Sequence, residues 1–214
     1  MAVNVSAQPA VLPRALRGFG HVKRYLDKSN NTIVAKILPG ELYVTKINEI
    51  ITTVLGSCIS ACIRDPYAGI GGMNHFMLPI SNDMSLLQSK DMSAAARYGN
   101  FAMEQLINEI LKHGGDRRNL EVKLFGGGRV LTHMTDVGKR NIEFAVEYIK
   151  VEGLKLISED LGDIYPRKIQ YDPLTGKARM KKLRTMHNRT VAEREEAYMH
   201  EIEEKPSSGE IELF

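Results

Sequence analysis

The run from Ile50 to Pro79, IITTVLGSCISACIRDPYAGIGGMNHFMLP, constrains the fold more than any other part of the chain. The β-branched and apolar residues before Gly56-Ser57 read as one strand, and Cys58 to Arg64 as the next. Asp65-Pro66-Tyr67-Ala68-Gly69 is a turn, because Asp and Pro preset it and Gly permits positive φ. Ile70 to Leu78 is then the return strand, ended by Pro79. Two strands joined this tightly are antiparallel neighbours. If RDPYAG closes a four-residue loop with Arg64 paired to Gly69, Cys58 stands opposite His75. Opposed residues share a face, with Cβ atoms about 4.5–5.5 Å apart. A slip of one residue would send the two to opposite faces.

The rest of the chain surrounds this hairpin with both element types. Thr32–Lys46 reads as two short strands broken at Pro39-Gly40. Arg97–Gly115 has an apolar stripe at helical spacing, with Gly114 as its stop. Glu121–Val130 is a strand running into the FGGGR loop, Val137–Gly153 a second amphipathic helix, and Arg167–Leu183 a hairpin turning at DPLTG. A polar, Glu-rich helical pattern covers Thr190–Glu204. Strands and helices interleave without regular βαβ spacing, which predicts α+β rather than a doubly wound sheet. Residues 1–28 read as an N-terminal extension, 29–184 as a single domain, and 185–214 as a helical, acidic C-terminal tail. The GEIELF end is a candidate docking peptide or a solubilising terminus.

Composition removes several classes of function. The two cysteines, Cys58 and Cys62, do not make a disulfide framework; four apart on one strand, they lie about 13 Å from each other. No stretch approaches a membrane span, and no basic-then-apolar leader opens the chain, which predicts a cytoplasmic protein without membrane insertion. The net charge of +3 is uneven. Asn188–Phe214 holds three Lys or Arg against eight Glu, so the remainder carries +8. No Lys/Arg run is interleaved with aromatics, so nucleic acid is not an expected partner.

The chemistry concentrates around Cys58. A cysteine nucleophile needs a base within hydrogen-bond reach, because the thiolate is the reactive form. His75 has the right type and, in the expected register, the right place. Gly56-Ser57 lets the backbone bend and leaves amides free for a developing oxyanion. Gly71-Gly72 before His75 removes side chains from the path of a substrate. Thr52, Thr53 and Asn74 are the local candidates to orient the imidazole. Cys62, among apolar neighbours, reads as core filler. FGGGR lacks the Gly-Lys-Ser/Thr of a phosphate loop and reads as a structural or substrate-access loop. A Cys-x-x-x-Cys metal site has only Asp65 and His75 nearby to complete it, so no metal is expected.

The segments LPGELYVT, TTVLGSCISACIRDP, GIGGMNHFMLP, RYGNFAMEQLINEIL, KLFGGGRVL, RNIEFAVEYI and DLGDIYPRKI together resemble the CheD family, in order, from about Ile33 to Leu183. The resemblance implies hydrolysis of selected glutamine side-chain amides on methyl-accepting chemotaxis receptors, to glutamate and ammonia. Some members are also credited with receptor methylesterase activity. It implies a Cys-His pair with a threonine six residues before the cysteine, which fall here on Cys58, His75 and Thr52. It implies no cofactor, and a fold like the cytotoxic necrotising factor catalytic domain: β-sandwich-like mixed sheets with flanking helices. It adds, in some bacteria, a CheC-type CheY phosphatase as partner. Gly56, Ser57, Gly72, Asn74, Gly126 and Gly127 are the expected substrate- or oxyanion-facing positions. The rival reading is a non-catalytic adaptor on receptors or on such a phosphatase.

Overall fold

The protein is described by a computed structural model covering residues 12–79, 94–130, 137–184 and 188–204. The GEIELF end lies outside the described residues. Among those residues the fold is α+β, with two five-stranded mixed sheets and three α-helices.

The first sheet runs β1 (Lys23–Asp27), β2 (Thr32–Lys36), β4 (Glu49–Leu55), β9 (Arg167–Tyr171), β10 (Ala178–Lys182). The second runs β3 (Leu42–Thr45), β6 (Ile70–Asn74), β5 (Ile59–Asp65), β7 (Glu121–Gly126), β8 (Lys155–Leu161). Only β2 with β4 and β7 with β8 pair in parallel. The crossover between β7 and β8 is helix α2 (Val137–Val151), as a parallel connection requires. Helix α1 (Ala94–Lys112) lies on β6, β3 and β5 and buries Met103, Leu106, Ile107 and Ile110. Helix α3 (Asn188–Glu204) contributes Tyr198, Met199 and Ile202 to the same continuous core.

Two strands were not visible as strands in the sequence. β1 falls within residues 1–28, read above as an extension, and forms a hairpin with β2. β8 is exposed along most of its length and forms the sheet edge, so its KLISEDL sequence lacks the alternation that marks a half-buried strand. The central hairpin forms, with its register moved. Asp65 pairs with Ile70 and Cys62 with Met73, so His75 faces Ser60 and Cys58 faces Met77 by continuation of the ladder. The cause is Asp65, whose carboxylate accepts from the Tyr67 and Ala68 amides and closes the turn around its own side chain. The four-residue loop moves one position along the chain, so the first strand gains Asp65, the return strand gives up Gly69, and the register shifts by two. The parity of faces therefore survives, and Cys58 and His75 become diagonal neighbours instead of direct opposites.

A buried polar clasp ties the sheets. The Glu49 carboxylate on β4 accepts from the Tyr43 hydroxyl (2.7 Å) and the Thr45 hydroxyl (3.0 Å) of β3, and pairs with the Arg24 guanidinium of β1. Removing one partner of a buried ion pair leaves the other uncompensated. Glu49→Ala should therefore cost about 3–5 kcal/mol, read as a lower urea midpoint with an unchanged denaturant slope.

Candidate active site

Cys58 sits at the end of the short link from β4 to β5, and the whole link is held from behind. The Gly56 carbonyl accepts from the Gly128 amide (2.7 Å), and the Cys58 carbonyl from the Gly127 amide (2.8 Å). The Ser57 carbonyl accepts from Asn141 Nδ2 (2.8 Å), whose Oδ1 accepts in turn from the Leu78 amide. Gly126 adopts φ +117°, and a Cβ there would lie 2.1 Å from the Cys58 carbonyl oxygen. The FGGG loop is thus the support of the Cys58 link, and its amides face backbone rather than substrate. That corrects the expectation that Gly126 and Gly127 line the site.

With their carbonyls engaged, the amides of residues 56, 57 and 58 converge on one point. A carboxylate occupies it, that of Glu195 from α3. Its Oε1 accepts from the Gly56 (2.8 Å) and Cys58 (3.2 Å) amides. Its Oε2 accepts from the Ser57 amide (2.7 Å) and the Ser57 hydroxyl (2.5 Å). A Cβ on Gly56 would stand 2.7 Å from that carboxylate, so only glycine leaves room. Gly56 and Ser57 therefore do face the site, through their amides.

His75 is 2% exposed. Its Nδ1 lies 2.8 Å from the Thr53 hydroxyl. That hydroxyl donates its own proton to the Ile37 carbonyl (2.9 Å), so toward the ring it accepts. The Nδ1 then carries the hydrogen, and Nε2 bears a free lone pair. Nε2 is buried and has no partner among the described residues, the state of a base awaiting a proton. Burial drives the imidazolium down to a pKa of about 3, so the ring is neutral. Burial, then the charge and hydrogen bonding of Glu195, push the Cys58 thiol well above the ordinary cysteine range. The site is a neutral thiol beside a neutral imidazole.

Cys58, His75 and Glu195 each bring a donor atom within 4.8 Å of the others, the one such group of His, Cys, Asp or Glu among the described residues. That spacing also suits a metal ion. Both carboxylate oxygens, however, already accept two protein hydrogens each, which marks the cradle as a site for an anion.

Three further expected residues are placed elsewhere. Thr52 does not reach the ring. Its hydroxyl donates to the Ile169 carbonyl (2.7 Å) and its carbonyl accepts from the Ile37 amide. Adjacent strand residues point to opposite faces, and Thr53 has the face that meets His75. Asn74 likewise points away from its neighbour His75: Oδ1 accepts from the Ala61 amide and Nδ2 donates to the Ala102 carbonyl, pinning β5 and α1. Gly72 lies under α1, where a Cβ would meet the Tyr43 carbonyl at 2.5 Å and Leu106 at 2.9 Å, so it serves packing and not access. Cys62 is fully buried in the core, as read. The sequence reading missed Asn141 and Glu195, whose contacts with the link span 84 and 137–139 residues. A signal for Glu195 existed. It is the one charged residue in the stripe Val191, Glu195, Tyr198, Met199, Ile202.

Two tests follow from the imidazole. Thr53→Val removes the acceptor that holds the proton on Nδ1. It should lower kcat roughly 10²-fold with KM little changed, while Thr53→Ser restores the rate. The pKa of His75 is depressed on folding, so the unfolded chain binds the extra proton between its ordinary value and about 3. Stability from this group is complete above about pH 6.5 and falls as pH drops, by at most about 1.4 kcal/mol per pH unit. Unfolding free energies of wild type and His75→Gln, compared from pH 7 to 4.5, should show this slope in the wild type alone.

Comparison with known proteins points one way. The family model for CheD chemotactic sensory transduction matches residues 77–182. A relative from Halorhodospira halophila, named probable chemoreceptor glutamine deamidase CheD, is 59% identical over 204 residues, 95% of this chain and 94% of its own. Proteins of the same name from Hydrogenovibrio crunogenus and Hahella chejuensis are each 51% identical, over 90% and 99% of this chain and 100% and 99% of their own.

Proposed function

The chain belongs to the CheD family, and on that premise we propose that it is a chemoreceptor glutamine deamidase acting in chemotaxis, a protein-glutamine glutaminase. One observation carries the chemistry: a thiol and an unpartnered imidazole nitrogen stand together beside three convergent backbone amides.

The reaction follows from those atoms. The Cys58 proton moves to His75 Nε2 as the sulfur bonds to the glutamine carboxamide carbon. The carbonyl oxygen takes up negative charge and is met by the amides of Gly56, Ser57 and Cys58. The C–N bond then breaks, and the amide nitrogen leaves as ammonia with the proton from His75. Water adds to the thioester, giving up a proton to the same nitrogen, and the glutamate carboxyl leaves as the Cys58 thiol reforms. Beyond the substrate amide and one water, the balance needs no further reactant. Thr53 is a positioning residue that fixes the reactive tautomer. Thr52, which the family pattern assigns to the site, acts through the pairing of β4 with β9.

Two sheets with flanking helices are what a relation to the cytotoxic necrotising factor catalytic domain would require. No helix among the described residues is long and apolar enough to cross a membrane, which suits a protein that meets receptors from the cytoplasm. A CheC-type phosphatase is the further partner that the family resemblance adds in some bacteria; in the adaptor alternative, on receptors or on such a phosphatase, Cys58 is dispensable.

Incubation of a receptor cytoplasmic fragment, read by intact mass, separates the two. Wild type and Cys62→Ala should produce the mass gain of an NH2-to-OH exchange, and Cys58→Ala should produce none while keeping its fold. Equal activity of Cys58→Ala and wild type would refute the assignment.

A further inference from the structure

The chemistry above makes no use of α3, yet α3 closes the site. The stripe it buries is apolar at Val191, Tyr198, Met199 and Ile202 and acidic only at Glu195. Tyr198 lies over Gly40, where an added Cβ would meet its ring at 3.1 Å, and its hydroxyl bonds that of Tyr98 on α1. Val191, Arg194 and Glu195 line a cleft whose other wall includes Leu38, Pro39 and His75. The Glu195 carboxylate is 1% exposed, and its partners in the cradle are three amides and one hydroxyl rather than a cation. Burying a carboxylate is costly unless donors meet it, and here every lone-pair direction is met.

The product of the proposed reaction is a glutamate side chain projecting from a helix. Glu195 is a glutamate side chain projecting from a helix, its carboxyl in the oxyanion cradle beside Cys58. Resting on the deamidase reading, we propose that the surface beneath α3 is the docking site for the glutamine-bearing substrate helix, and that α3 is its resting occupant, with Glu195 in the place of the product. Access to Cys58 then requires α3 to lift away.

The same contacts describe the partner. It is an amphipathic helix with a glutamine on its docking face, flanked at three- and four-residue spacing by apolar side chains that replace Val191, Tyr198 and Met199. Charge favours an acidic helix, because the body carries +8 and the segment that holds α3 carries −5. Being tethered, α3 competes at high effective concentration, so a receptor must offer either a closer fit or many copies of its helix.

Glu195→Gln in the full chain places the substrate's own amide in the cradle. Cys58 should hydrolyse it in cis: the variant reverts to the wild-type mass with release of ammonia, while the double variant Cys58→Ala/Glu195→Gln keeps its amide. A single variant that stays glutamine while the same preparation deamidates a receptor fragment would overturn the inference and leave the deamidase reading standing. Reversion in cis without turnover of any receptor would support the cradle and overturn the receptor as substrate. Neither activity would overturn both. Independently, Tyr198→Ala removes the main apolar anchor of α3. Cys58 should then be alkylated by iodoacetamide about tenfold faster or more, located by peptide mapping, and receptor turnover should rise. Alkylation at the wild-type rate would refute occlusion by α3.

Discussion

The carbonyls of Gly56, Ser57 and Cys58 are gripped from one side by Gly128, Asn141 and Gly127, and this grip turns three consecutive amides toward the other. The remaining parts of the site depend on it. A peptide link without those partners would satisfy its carbonyls with water and let its amides wander. The grip comes from the β7–α2 junction, so the parallel β7–α2–β8 unit positions the centre without donating a reacting atom to it. The preorganisation is of backbone dipoles, which need not move when charge develops.

Burial makes the same centre unreactive at rest. His75 and Cys58 are both buried and neutral, in surroundings where an isolated thiolate–imidazolium pair would be costly. What the protein fixes in advance is proton position. The chain from Ile37 carbonyl to Thr53 hydroxyl to Nδ1 runs in one direction, and it leaves Nε2 as the basic atom. The negative charge of Glu195 opposes thiolate formation, so a substrate that replaces it with a neutral amide also removes that opposition.

Much of this was legible in the chain, and the failures have specific causes. The hairpin and the shared face of Cys58 and His75 followed from alternation and turn chemistry. The exact pairing did not, because Asp65 can cap the turn from inside or outside the loop, and both choices use the same residues. Choosing Thr52 over Thr53 set a sequence spacing against strand geometry, and the geometry of β4 places Thr53 on the ring. Asn74 and Gly72 were assigned by nearness to His75 in sequence, but neighbours on a strand face opposite ways. The cradle's occupant lies more than a hundred residues downstream, beyond any local pattern. Its mark was a lone acid in an apolar stripe, a signal that helical periodicity exposes once the stripe is drawn.

The spans of these contacts bear on how the centre comes into being. Cys58 waits for Gly127 and Asn141 before its link is shaped, and for Glu195 before it is covered. Contacts of such separation close late. Gly127 and Asn141 precede Glu195 in the chain, so the cover is the last of these partners to be synthesised.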